Sequence, residues 1–168
     1  MHIKHILGTV AFVLASQAGA TTINWNDHGP LELTANVVQS GSFSDIINFT
    51  LPNTGPITPL AVTAVANNLT PVLGISNGTV SFFEHVSAGN DVLLGHFAFS
   101  GVTGDTQHVF TPTVAGNYFY QVSGTGTGTS GGFYSLTSAP VPEASAWSMA
   151  LCSVMLIGLI HRRNKRRL

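Results

Sequence analysis

The sequence predicts an all-β fold, a jelly-roll-like antiparallel β-sandwich, flanked by an N-terminal signal peptide and a single C-terminal transmembrane helix. Residues 21–139 are rich in Val, Thr, Phe, Ile and Tyr and show no helical periodicity. Turn residues recur about every eight to twelve positions, a spacing typical of sandwiches and barrels. This stretch is about 120 residues long, so we expect one domain with its own core.

Residues 1–20 have the three parts of a secretory signal peptide. A short cationic head contains Lys4, an apolar core covers residues 6–15, and Ala18-Gly19-Ala20 gives the small-x-small pattern that signal peptidase cuts. We therefore expect passage through the Sec translocon. Signal peptidase should recognise Ala18 and Ala20 and cut after Ala20. The mature chain should begin near Thr21.

The middle of the chain divides into short candidate strands. They cover residues 31–38, 44–51, 60–66, 72–76, 79–86, 92–100, 107–111, 117–123 and 133–138. Alternation is clear at Tyr118, Tyr120 and Val122, which share one predicted face, while Phe119 and Gln121 share the other. Asn77-Gly78 predicts a tight hairpin turn between two candidate strands, because both positions tolerate positive φ.

The C-terminal segment, residues 140–168, predicts a membrane span. Residues 144–160 carry no charge, and as a helix they would extend about 26 Å, close to the ~30 Å of a hydrocarbon layer. A basic tail, residues 161–168, follows and should act as a cytoplasmic stop signal, placing the preceding domain outside. Its cationic residues are Arg162, Arg163, Lys165, Arg166 and Arg167.

The motif Val141-Pro142-Glu143 stands directly before this span, and the whole segment resembles the PEP-CTERM sorting signal of Gram-negative bacteria that produce exopolysaccharide. The resemblance implies an exosortase as a partner. It also implies transient anchoring in the inner membrane by the C-terminal helix, and then release to the cell surface or the extracellular space. Ala144 stands where the family has a second proline. Without processing, the protein would stay anchored on the outer face of the membrane.

Two stretches resemble the FxDxF subgroup of these proteins. Residues 43–51 match the motif at Phe43, Asp45 and Phe49, and residues 115–124 together with 131–136 are similar to the glycine- and tyrosine-rich ending of the same group. Two interpretations of Asp45 are open. Its carboxylate could bind calcium or a sugar hydroxyl, or it could accept backbone N–H groups where the chain enters the strand, as Asp does at turns.

Charge excludes one class of partner. All six Lys and Arg residues lie in the two targeting segments, whereas residues 21–139 contain six acidic side chains and no cation apart from histidine. The domain therefore lacks the contacts that dominate nucleic-acid affinity, and we expect no nucleic-acid partner. The only cysteine, Cys152, lies in the apolar tail, so the domain is expected to fold without a disulfide.

The residues favour a non-enzymatic function, with no cofactor and no metal. Acid–histidine pairs such as Glu84-His85 have no recognised metal-site spacing, and neighbours on a strand point to opposite faces. We expect a structural or adhesive role in extracellular matrix, exopolysaccharide or biofilm. The alternatives are an extracellular polysaccharide-binding module, with Trp25, Phe82 or Tyr134 exposed as stacking platforms, and a secreted hydrolase.

Overall fold

A computed structural model describes residues 10–13, 20–54, 57–87, 89–101 and 105–141. These residues form ten β-strands. The strands are β1 (Val10–Val13), β2 (Thr22–Asp27), β3 (Glu32–Val38), β4 (Gly41–Leu51), β5 (Leu60–Asn67), β6 (Ile75–His85), β7 (Asp91–Phe99), β8 (Asp105–Phe110), β9 (Gly116–Gly126) and β10 (Gly132–Pro140).

The strands form two five-stranded sheets, which confirms the prediction of an all-β sandwich. Sheet 1 has the order β1-β3-β10-β5-β8, and sheet 2 has the order β2-β4-β9-β6-β7. All pairings are antiparallel except β1 with β3 and β2 with β4, which are parallel. The sequence did not predict β2 or these parallel edges. In each parallel pair, the intervening strand of the chain belongs to the other sheet. The two paired strands therefore run in the same direction.

The core lies between the inner faces of the two sheets. Along β4 the buried residues Phe43, Asp45, Ile47 and Phe49 alternate with more exposed ones. The same alternation along β9 buries Tyr118, Tyr120 and Val122, as the sequence predicted. Strict alternation follows from the two-residue period of a strand, and it leaves a complete second row of side chains on the outer face of each sheet.

The three aromatic residues that the polysaccharide-binding alternative places on the surface lie in the core, so they are not exposed stacking platforms. Trp25 is 7% exposed, and Phe82 and Tyr134 are 0% exposed. The indole Nε1 of Trp25 donates to Thr34 Oγ1 at 2.9 Å, which satisfies its only polar group. These residues occupy inward positions of their strands, and burial of a large ring is strongly favourable.

Asn77-Gly78 does not form a hairpin turn. Strand β6 continues through both residues, Asn77 has a φ of 53°, and the pairing of β6 with β9 shifts register between Ser76 and Thr79. The dipeptide forms a β-bulge, where the chain also needs a positive φ. A side chain at Gly78 would meet the carbonyl oxygen of Phe99 at 2.6 Å, so this position requires glycine.

Several predicted features lie outside the described residues. These are the signal-cleavage residue Ala18, the motif residues Pro142 and Glu143, the predicted span and the basic tail. Val141 is described, and its N–H donates to the carbonyl of Pro59 at 2.7 Å directly after β10. The described part of the chain contains no helix of the length and hydrophobicity that a membrane span requires.

We predict that Leu136→Ala destabilises the domain by about 2–5 kcal/mol, because Leu136 is fully buried on β10 and its loss leaves a cavity. Leu93→Ala on β7 is the matched control, since Leu93 is 51% exposed and should change stability by less than about 0.5 kcal/mol. Urea unfolding of the two exported variants measures both effects. Equal losses would contradict the assignment of the core.

Candidate functional site

A groove of about 520 Å³ lies on the outer face of sheet 2. Strands β2, β4 and β9 contribute most of its lining, and the facing ends of β6 and β7 close one side. Its position follows from the fold, because the residues that line it are mostly the outward partners of the core residues on the same strands.

Most of the lining side chains lie in two rows that run across the strands, and each row also includes one residue outside the lining, Phe83 in the first and Asp27 in the second. The strand registers define the first row as Asn24, Asn48, Phe119 and Phe83, and the second as Asp27, Thr50, Asn117, His85 and Asp91. Neighbouring strands are ~4.8 Å apart, so the second row spans about 19 Å over five strands. This is an extended surface, suited to a chain-like ligand.

Hydrogen bonds between neighbouring strands hold the polar side chains in place. Asn48 Nδ2 donates to Asn24 Oδ1, and Thr50 Oγ1 donates to Asn117 Oδ1, both at 3.0 Å. Each amide group has two donors and an acceptor with two lone pairs, so one bond leaves most of its capacity open. The groove therefore presents oriented groups that can both donate and accept hydrogen bonds.

Two phenylalanines add an apolar surface beside these amides. The rings of Phe83 and Phe119 are stacked, with centroids 4.8 Å apart and planes 10° apart, and both side chains are half-buried. Sequence reasoning missed them as ligand contacts. The signal was available for Phe119, whose position in the alternation of β9 opposes that of the buried Tyr118 and Tyr120.

The groove carries negative charge and histidine. His85 Nδ1 lies 2.6 Å from Asp91 Oδ1, with both side chains exposed at one end of the second row. Asp27 lies at the other end of that row and is also exposed. Since residues 21–141 contain no Lys or Arg, nothing in this region offsets the carboxylates at neutral pH except histidine. An anionic ligand would be repelled.

A bulge in β2 shapes the rim of the groove. Asn26 has a φ of 61°, and the pairing of β2 with β4 shifts register between Asn24 and Asp27. Asparagine tolerates this left-handed conformation better than most residues. The bulge places Asn26 at the groove, and the N–H of His28 then donates to the carbonyl of Thr50 at 2.9 Å.

The family-motif residues Phe43, Asp45 and Phe49 belong mainly to the core. Asp45 is 1% exposed and its carboxylate accepts hydrogen bonds from the Thr21 N–H at 2.8 Å, from Asn36 Nδ2 at 2.8 Å and from the Tyr134 hydroxyl at 2.6 Å. One of the three donors is a backbone N–H, but it belongs to Thr21, 24 residues before Asp45, and not to a turn at the start of the strand. The carboxylate is not open to solvent, so it cannot bind an external ion or sugar in this conformation.

A second polar cluster lies at the edge of the core, next to a cavity of about 180 Å³ lined partly by His28. His28 Nε2 lies 2.8 Å from Ser138 Oγ, and Ser138 Oγ lies 3.0 Å from the Tyr120 hydroxyl. Ser138 is fully buried, so a polymeric substrate could not reach its hydroxyl. Burial of the phenol raises the pKa of Tyr120, and the bond to Ser138 opposes this only in part.

Comparison with known proteins finds only weak structural likenesses. No family model and no curated protein matches the chain. The chain is similar to the Yersinia pseudotuberculosis-derived mitogen, with 9% identity, a TM-score of 0.39, and coverage of 67% of this chain and 87% of the mitogen. It is also similar to PirA, with 13% identity, a TM-score of 0.39, and coverage of 66% and 94%, respectively. Likenesses at this level carry no information on ligand or activity.

We predict a loss of stability in mild acid that depends on His28. Burial lowers the pKa of His28 from 6.5, and the Gly29 carbonyl and the Glu32 carboxylate oppose this shift. The unfolded chain therefore takes up a proton before the folded one does. The contribution of His28 to stability is present above about pH 6.5 and is lost as the pH falls toward the lowered pKa.

Urea unfolding at about pH 7.5 and about pH 5.5 tests this expectation. His28→Gln should show a smaller loss between the two conditions than the wild type. Ser138→Ala keeps the buried imidazole, so it should be less stable at both pH values but retain the pH-dependent loss. An unchanged pH dependence in His28→Gln would contradict the prediction.

Proposed function

We propose that the chain is an exported protein, sorted by a PEP-CTERM and exosortase system, that works in the extracellular matrix by binding neutral polysaccharide. The observation that carries the proposal is the groove on sheet 2, where amide and hydroxyl side chains lie beside Phe119, whose ring stacks on Phe83. A structural or adhesive role in exopolysaccharide or biofilm then follows from attachment to the polymer.

The chemistry of the groove matches that of a sugar chain. A sugar ring has hydroxyl edges that both donate and accept hydrogen bonds, and faces of C–H groups that pack on aromatic rings. Asn24, Asn48 and Asn117 supply donors and acceptors in one surface, and Phe119 supplies an apolar face between them. Pre-oriented groups reduce the entropy lost on binding.

Charge favours a neutral polymer over an acidic one. Asp27 and Asp91 lie at the two ends of the second row, and residues 21–141 contain no Lys or Arg to pair with uronate, sulfate or phosphate groups. The hydrolase alternative has one supporting contact, between His28 and Ser138, and the burial of Ser138 argues against it.

The proposal also includes the class of the sandwich and the two targeting segments. We assign the sandwich to the jelly-roll class, because the eight strands β3–β10 lie in the orders β3-β10-β5-β8 and β4-β9-β6-β7. Cleavage after Ala20 would remove β1, which is an edge strand, and would leave the pairings among these eight strands in place. The signal peptide and the membrane-spanning sorting segment rest on the residues alone.

We predict that the exported protein binds a neutral polysaccharide through Phe119. Affinity electrophoresis in gels containing a neutral glucan, a neutral mannan or an acidic alginate should show retardation in at least one neutral gel and none in alginate. Phe119→Ala should weaken binding about 10-fold or more, since a stacking contact and its apolar area are lost. Phe133→Ala is the matched control, because Phe133 is equally half-buried but lies on the outer face of sheet 1.

A second pair of variants tests the amide row. Asn48→Ala combined with Asn117→Ala should also weaken binding without unfolding the domain, because both side chains lie on the outer face. Loss of binding in Phe133→Ala with normal binding in Phe119→Ala would place the site on the other sheet. Retardation in alginate alone would contradict the proposed ligand.

The intact mass of the protein from its native host tests the sorting proposal. We expect a product that begins near Thr21 and ends between Val141 and Ala144, as cleavage by signal peptidase and exosortase requires. A product that retains residues 144–168 would show that the sorting signal is not processed. The protein would then act as a tethered domain on the outer face of the inner membrane.

A further inference from the structure

The buried carboxylate of Asp45 has three hydrogen-bond donors and, among the described residues, no cationic partner. Its donors are the N–H of Thr21, the side-chain amide of Asn36 and the hydroxyl of Tyr134. Asp45 is 1% exposed, and residues 21–141 contain no Lys or Arg. A carboxylate buried without a counter-charge is costly unless hydrogen bonds or a cation compensate for its lost hydration.

One of these donors lies at the predicted signal-cleavage site. The Thr21 nitrogen is 2.8 Å from Asp45 Oδ1, and in the precursor it is the amide that links Thr21 to Ala20. Ala20 is exposed, so the Ala20–Thr21 peptide bond lies at the surface. The chain then enters β2, whose residues Ile23 and Trp25 are in the core. The carbonyl of Thr21 accepts the N–H of Ile46 at 2.8 Å, which fixes Thr21 beside β4.

We propose that signal-peptide cleavage turns the Thr21 amide into an ammonium group that pairs with Asp45, so that the mature N-terminus becomes the counter-ion of the buried carboxylate. Hydrolysis of the Ala20–Thr21 peptide bond adds one water: the Ala20 carboxylate leaves with the signal peptide, and the Thr21 amine takes up a proton. The proposal rests on the export proposed above, and specifically on a cut between these two residues.

The position favours a charged donor. An amide N–H offers one proton, whereas an ammonium group offers three and adds a full charge, and charge-assisted bonds are about twice as strong as neutral ones. The cluster also has spare acceptor capacity, because Asn36 Oδ1 is buried and has no hydrogen-bond partner among the described residues.

The ion pair would stabilise the contact between the two sheets. Asp45 lies on β4 of sheet 2, while Asn36 and Tyr134 lie on β3 and β10 of sheet 1. The Asp45 carboxylate already joins the two sheets by hydrogen bonds. A cation at its Oδ1 would therefore stabilise this contact further. Cleavage would raise the stability of the exported domain, and the precursor would lack this contribution until it had crossed the membrane.

The test uses the full chain, exported and purified after cleavage, with its N-terminus at Thr21 established by mass. Acetylation of the α-amine removes its charge, whereas reductive dimethylation retains it. We expect acetylation to lower the folding equilibrium constant about 10- to 100-fold in urea unfolding, and dimethylation to have a much smaller effect. If the tail is present, both reagents also react with Lys165, where acetylation again removes the charge and dimethylation again retains it, so the effect of Lys165 must be subtracted by comparison with Asp45→Asn.

Asp45→Asn completes a double-mutant cycle. In this variant, acetylation should change stability by less than about threefold, because the pairing charge is gone. If Asp45→Asn does not fold, the α-amine pKa of ¹³C-dimethylated wild-type protein gives an independent result. That pKa should lie above the ordinary value of about 7.7–8.0 in the folded state and return to it in urea.

Three results would overturn the inference, and each can be told apart from failure of the proposed function. An ordinary α-amine pKa in the folded protein, or equal effects of acetylation in wild type and Asp45→Asn, would show that the N-terminus does not pair with Asp45. A mature chain that begins away from Thr21 would remove the amine from the site. Polysaccharide binding through Phe119 is measured separately and could persist in all three cases.

Discussion

The buried carboxylate of Asp45 is the polar contact on which the arrangement of the two sheets depends. It receives a hydrogen bond from the start of the domain, one from β3 and one from β10, while it belongs to β4 in the opposite sheet. Hydrophobic contacts alone permit sliding between layers, whereas the two directed bonds from Asn36 and Tyr134 to one buried group favour a single relative position of the sheets. Burial and the neighbouring Asp45 charge raise the pKa of Tyr134, which keeps its hydroxyl protonated as a donor.

Aromatic packing makes up much of the core, and the domain has no Lys or Arg with which to form ion pairs. Phe49 packs against Phe82, Tyr118 and Tyr120, with ring centroids 4.9–6.1 Å apart. Such rings bury large areas and favour particular geometries, so they supply both hydrophobic free energy and specificity. The surface is therefore poor in charge, and amide side chains occupy part of it on sheet 2.

The core and the candidate site are opposite faces of the same strands. On β9, Tyr118 and Tyr120 point inward, whereas Asn117 and Phe119 point outward into or beside the groove. Rigid inward packing therefore fixes the positions of the outward groups, which is the condition for a pre-oriented binding surface. The bulge at Asn26 in β2 shapes the edge of this surface. The bulge at Asn77 shifts the register of β6 against β9.

The sequence by itself determined the strand-rich middle, the approximate bounds of most strands, the inward phase of Tyr118 and Tyr120, and the absence of cations from the domain. These are properties of composition and of a two-residue period, which are local. Only the tertiary structure decided that Asn77-Gly78 is a bulge, that Trp25, Phe82 and Tyr134 are buried, and that Asn24, Asn48 and Asn117 share one groove. Which strands become neighbours, and in which register, depends on long-range pairing. No local pattern specifies that pairing, so neither the groove nor the contact between Thr21 and Asp45 could be predicted from the chain alone.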